Sequence, residues 1–186
     1  MTGCKQVSDL FEPELDDSAE GMSGTWEIVS TSAAQDDCEP LSPTEVEADS
    51  VSVRIEDLGE GEAPRADSSP EVEPEKLLWV ESCAGEDCGP LADRYSRFEK
   101  AGLGWSLDEY RADWSRYPAC LVRRVQATIV PLPDGKARIE IEHSRGEGLV
   151  EGTEDCNHEF ARQRRETMSC HYRRTIELRR PDDAAS

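Results

Sequence analysis

Residues 120–144, CLVRRVQATIVPLPDGKARIEIEHS, decide how the rest of the chain is read. Val125, Ala127 and Ile129 alternate with polar residues, and Ala137, Ile139 and Ile141 do the same beyond Pro133, Asp134 and Gly135. Period-two patterning on both sides of a proline and an Asp-Gly turn is the signature of a β-hairpin with one face buried. The two triplets then face one another across the hairpin.

Working outward, the same alternation recurs. VSVRIEDL (51–58) sets Val51, Val53 and Ile55 inward and Ser52, Arg54 and Glu56 outward, as a sheet with one wet face requires. SGTWEIVSTS (23–32), LLWVESC (77–83) and SCHYRRTIELRR (169–180) also read as strands, the last with Tyr172, Ile176 and Leu178 on one side. Between them, GEGEAPRADSSPEVEPE (59–75) is an acidic exposed loop with almost nothing to bury. Residues 156–165 fit helix and strand equally.

One block reads differently. Leu91, Tyr95 and Phe98 recur at helical spacing after Pro90 and before Gly102; Leu107, Tyr110 and Trp114 do so after a capping-box pattern at Ser106 and Glu109 and before Pro118. The spacing predicts two short helices inserted over 90–117. About seven strands with such an insertion give a mainly β fold, with α+β as the alternative: an antiparallel sheet rolled into a small barrel or sandwich. One domain over 23–180 is expected, preceded by a flexible acidic tether (1–22) and followed by a disordered tail (181–186).

Charge is distributed unevenly. The 186 residues carry a formal net charge of −20, yet residues 1–76 hold 21 acids against 4 bases, and 77–186 hold 20 against 17. Without a basic surface to displace counterions from phosphates, a nucleic-acid partner is not expected. No apolar run reaches the roughly 20 residues that span a bilayer as a helix. Seventeen arginines against four lysines suggest a GC-rich bacterial genome.

The seven cysteines are Cys4, Cys38, Cys83, Cys88, Cys120, Cys156 and Cys170. Six lie in or beside segments that read as folded, and an even set in a modest domain points to three disulfides formed in an oxidising compartment, with 15 connectivities available. The expected pairs are Cys83 with Cys88, Cys156 with Cys170, and Cys38 with Cys120. Cys156, His158, Cys170 and His171 lack the spacing of zinc ribbons and fingers, so neither metal nor other cofactor is expected.

Cys4 is left over, and Thr2-Gly3-Cys4 resembles the end of a bacterial lipobox. That resemblance implies lipidation of Cys4, a signal segment upstream in the gene, and a lipid anchor holding the chain at the membrane surface of the bacterial envelope, on the outer membrane. The polar, acidic stretch after Cys4 suits a tether. The Gly24-x-Trp26 opening of the first strand is similar to that of lipocalin-like β-barrels. Their fold implies that Trp26 plugs the closed end of the barrel and that an arginine of the last strand packs across its ring, for which Arg174 is the candidate.

Catalytic chemistry finds little support. His143, His158 and His171 are the three histidines, no Gly-x-Ser-x-Gly elbow is present, and adjacent carboxylates such as Asp36-Asp37 and Glu86-Asp87 fall in loops. The expected function is therefore non-enzymatic. Trp79, Tyr95, Phe98, Trp105, Tyr110 and Trp114 crowd the helical block and are the candidate binding residues. They would meet an apolar small molecule or lipid at the barrel mouth, or alternatively an envelope protein.

Overall fold

A computed structural model describes residues 15–35, 48–57, 76–92 and 97–181. Cys4, Cys38, Tyr95, most of the expected tether and the 59–75 loop lie outside the described residues. The chain forms β1 (Gly24–Gln35), β2 (Ser50–Asp57), β3 (Lys76–Ala84), β4 (Asp87–Pro90), β5 (Arg97–Ala101), β6 (Gly104–Arg116), β7 (Ala119–Leu132), β8 (Lys136–Leu149) and β9 (Cys170–Arg179). Two helices accompany them, α1 (Ala19–Met22) and α2 (His158–Gln163).

Following hydrogen-bonded neighbours through β1, β2, β3, β5, β6, β7, β8 and β9 leads back to β1, so eight antiparallel strands close into a barrel. β4 stands outside the ring as the hairpin partner of β3. Closure leaves the eight strands without a free edge, and eight strands enclose room for side chains or one small ligand. The fold class expected from sequence is thus borne out as a closed antiparallel barrel.

The hairpin of 120–144 forms as its alternation dictates. Ala127 pairs with Ile141 and Ile129 with Ile139. The turn is made by Asp134 and Gly135, both in the left-handed region at φ 59° and 65°. Val51, Val53, Val125, Ala127, Ile129, Ile139, Ile141, Ile176 and Leu178 share one contiguous apolar core inside the barrel. Burying each of its larger aliphatic side chains contributes about 1.5–3 kcal/mol. A β-bulge between Ile28 and Ser30 shifts β1 so that Thr31, rather than Ser30, joins the inward face opposite Ile176.

The described residues of the block expected to be helical over 90–117 are not helical: they include β5 and β6, and α1 and α2 lie elsewhere. In β6, Trp105 and Leu107 point inward while Tyr110, on the outer face, is covered by the segment around α2. A strand buried on both faces loses its period-two signature, and its apolar positions fall three and four apart as on a helix. β8 runs on past the 120–144 segment to Leu149.

One end of the barrel is closed by residues 15–23, which sequence reading had assigned mostly to the tether. Ser18 caps α1, and Ala19 and Met22 are buried in the barrel core. Trp26 donates its indole N–H to the Met22 carbonyl at 2.9 Å, and Trp105 donates to the Asp17 carbonyl at 3.2 Å. Lys100 reaches the same carbonyl at 2.6 Å. The arginine across Trp26 is Arg180, not Arg174: its guanidinium lies 4.2 Å from the ring centroid and donates to the Ser23 carbonyl at 2.6 Å and to that of Gly21. Burial pushes the Arg180 pKa down, and the charge of Asp16 partly offsets this. Arg174 pairs instead with Ala33 and Ile141, farther up the barrel.

Replacing Arg180 by Ala strands two carbonyls and uncovers the Trp26 ring. Urea denaturation should show a loss of about 1–3 kcal/mol. Arg138→Ala, which removes a surface ion pair to Glu177, should cost about 0–1 kcal/mol. Equal losses for the two variants would contradict the assigned lock.

Candidate functional site

The two ends of the barrel differ in what their inward positions hold. Directly paired residues of antiparallel strands share a face, so the inward set can be followed from strand to strand. Val125 of β7 lies in the core, and Glu109 of β6 and His143 of β8 are its partners. One step closer to the β6–β7 hairpin, Arg111, Arg123 and Arg145 stand directly opposite one another. On β9, Tyr172 is opposite His143 and Arg174 opposite Ile141.

Four half-buried arginines therefore occupy inward positions at the end opposite the Trp26 plug, immediately above the aliphatic core. Arg123 Nε is buried without a hydrogen-bond partner. Asp113, one step farther out, is held below the usual carboxylate range, first by hydrogen bonds from Ser115 and then by the charges of Arg123 and Arg111. On the outer wall the arrangement is different: Arg124 makes two 2.8 Å bonds to Asp108, which raise its pKa, and Arg138 makes one to Glu177. On the inner wall the rung of Arg111, Arg123 and Arg145 is flanked by carboxylate positions, Glu109 on the rung below and Asp113 and Glu147 on the rung beyond.

The outer face behind this site is braced. α2, capped by Asn157 Oδ1 accepting from the Phe160 N–H at 3.0 Å, lies over β6 and β7. Tyr110, Cys120, Val122, Val150, Cys156, Ala161 and Met168 form a second apolar cluster beneath it. A Cβ at Gly148 would meet the Phe160 ring at 2.9 Å, so the closeness of α2 depends on that glycine. Cys120 is bonded to Cys156, which corrects the expected pairs Cys38 with Cys120 and Cys156 with Cys170. The physical reason is the path after β8: Val150 N–H binds the Pro118 carbonyl, and the chain folds back beside the start of β7. Cys83 is bonded to Cys88 as expected, across the β3–β4 turn.

The aromatic candidates do not form one site. Phe98 and Trp105 are core residues of the barrel. Tyr110 lies on the outer face, edge-on to His158 at 5.9 Å. Trp79 is half-buried on the outer wall with Arg97 above its ring at 5.9 Å, and Trp114 is 60% exposed near the mouth with Tyr117 and Leu149. Sequence reading missed the inward arginines, although the signal was present. The inward alternations Val125-Ala127-Ile129 and Ile139-Ile141, extended toward the mouth, reach Arg123, His143 and Arg145.

His171 meets a carboxylate. Its Nδ1 lies 3.5 Å from Glu142 Oε1 and 3.1 Å from Ser144 Oγ, on the outer wall. A relay needs the acid on one ring nitrogen and the nucleophile on the other, and here both address the same nitrogen. Among the described residues, no group of three His, Cys, Asp or Glu is placed to hold a metal ion, and no helix is long and apolar enough to cross a membrane. No family model matches the chain, and neither curated proteins nor solved structures yield a match.

The Cys120–Cys156 bond should hold α2 against the barrel. In limited proteolysis, Cys156→Ser should be cut by trypsin within residues 162–165 several times faster than the parent chain, with the barrel left intact. An unchanged cleavage rate would show that packing alone secures α2.

Proposed function

We propose that this protein is a non-enzymatic binding protein of the bacterial envelope, lipid-anchored through Cys4, whose barrel takes up an apolar small molecule or lipid at its open end. The observation that carries this reading is the contrast between the two ends: one is plugged by α1, Trp26, Trp105 and Arg180, while at the other, half-buried charged side chains replace the core inside the wall. Placing cations inside a barrel costs stability, and ligand sites are where such cost recurs. The Gly24-x-Trp26 opening and the arginine packed on it agree with the lipocalin-like resemblance. Two disulfides suit an oxidising compartment.

Exposed Trp114, Tyr117 and Leu149 favour a second reading, a protein-interaction module docking through this rim. The readings separate on ligand uptake. Titration with the neutral fluorescent probe N-phenyl-1-naphthylamine should give saturable enhancement at one site per chain, displaced by amphiphiles. Absence of saturation with the probe and with amphiphiles alike would favour the interaction module.

A further inference from the structure

We infer that the chain forms a homodimer through the surface around α2, each copy setting its acidic half against the basic half of the other. This association is independent of ligand uptake, since it uses the outer face and the rim rather than the barrel interior. Its apolar part is an open depression between the end of β8 and α2, where Leu149, Val150 and Phe160 lie beside Glu151, Asp155 and Glu159. Leu149 is 75% exposed, and Trp114 and Tyr117 extend the same surface: the Tyr117 hydroxyl donates to the Glu151 carbonyl at 2.8 Å.

Charge on this surface is separated rather than paired. From Gly146 to Ala161 the chain carries five acids and no lysine or arginine, and Arg162, Arg164 and Arg165 follow at once. Among the described residues, Glu151, Asp155 and Glu159 form no ion pair with a lysine or arginine. Asp155 accepts the Gly152 N–H at 3.0 Å, and Glu159 the Gln163 side-chain amide at 3.1 Å. Arg162 is exposed, and Arg165 reaches its neighbour Glu166 at 3.7 Å with both side chains more than half exposed. Elsewhere on the outer wall arginine and carboxylate meet across strands, Arg54 with Glu81 at 2.8 Å and Arg179 with Glu27 at 3.0 Å.

A surface acidic at one end and basic at the other is complementary to its own copy turned about a two-fold axis, because an isologous interface meets itself in reverse order. A uniformly basic partner would satisfy Glu151 and Glu159 but set like charge against Arg162 and Arg165. Exposed ion pairs contribute little by themselves, so the charges fix the register while Leu149, Phe160, Trp114 and Tyr117 supply the apolar contact. Copies of a chain with a net charge of −20 repel one another, and the arginines of 162–165 supply the local attraction that offsets this.

Sedimentation equilibrium of the full, unacylated chain across the micromolar range tests this, and should show a monomer–dimer equilibrium. Glu151→Lys with Glu159→Lys, and Arg162→Glu with Arg165→Glu, should each weaken dimerisation at least tenfold. An equal mixture of the two double variants should form heterodimers about as tightly as the parent forms homodimers. Leu149→Ser should weaken the dimer severalfold, and Arg138→Ser, toward the other end of β8, should leave it unchanged. If circular dichroism shows either double variant unfolded, Glu159→Gln and Arg162→Gln take their place, each expected to weaken the dimer severalfold. A parent chain that stays monomeric would overturn the homodimer, and octalysine binding to that monomer would assign its acids to a basic partner instead. A dimer that survives both charge reversals, or a mixture of folded variants that stays monomeric, would overturn the assigned surface.

Discussion

The barrel depends on the contact of Arg180 with Trp26. An eight-stranded ring is held by its ladders, but a ring alone leaves an open hole at each end. Arg180 follows the last strand and Trp26 begins the first, so their stacking joins the two ends of the chain's fold at the place where the ring closes. The same guanidinium holds the carbonyls of Gly21 and Ser23, and those fix α1 beneath the indole. One side chain thereby secures strand closure, plug and helix. Its burial disfavours the charged form, and the carbonyl partners and the aromatic face offset that cost.

With one end sealed, the inward arginines of β6 to β9 are gathered at the other. β6, β7 and β8 are among the longest strands, and their inner faces change from apolar to largely charged along their length. Their outer faces are braced by α2 and the Cys120–Cys156 bond. The brace thus lies on the outer face of the strands whose inner face carries the arginines.

Much of this was legible in the residue pattern. Val51, Val53 and Ile55, and the triplets of the 120–144 hairpin, alternate because one face is wet, and each became a barrel strand. The reading failed at β6 because Tyr110 and Ala112 are apolar on the outer face for the sake of α2, a partner about 50 residues away that local periodicity cannot register. The lipocalin-like resemblance put the plugging arginine on the last strand, with Arg174 as the candidate; Arg180 fills that place from just past the strand end, where Pro181 suggested only a tail. The inward arginines escaped notice because charged residues in a strand normally mark its wet face. Extending the alternation of Val125 and of Ile141 reaches positions 123 and 145, and strand pairing then adds position 111. Pairing Cys120 with Cys156 likewise depends on the return path after β8, which the cysteine spacing does not encode.

The account's central claim is that the barrel is sealed at the Trp26 end and takes its apolar ligand at the other. A crystal structure of the chain with N-phenyl-1-naphthylamine tests it most directly. The account predicts probe density inside the wall at the end where Arg123 and Leu149 stand. Density at the Trp26 end, or only on the outer wall, would contradict it.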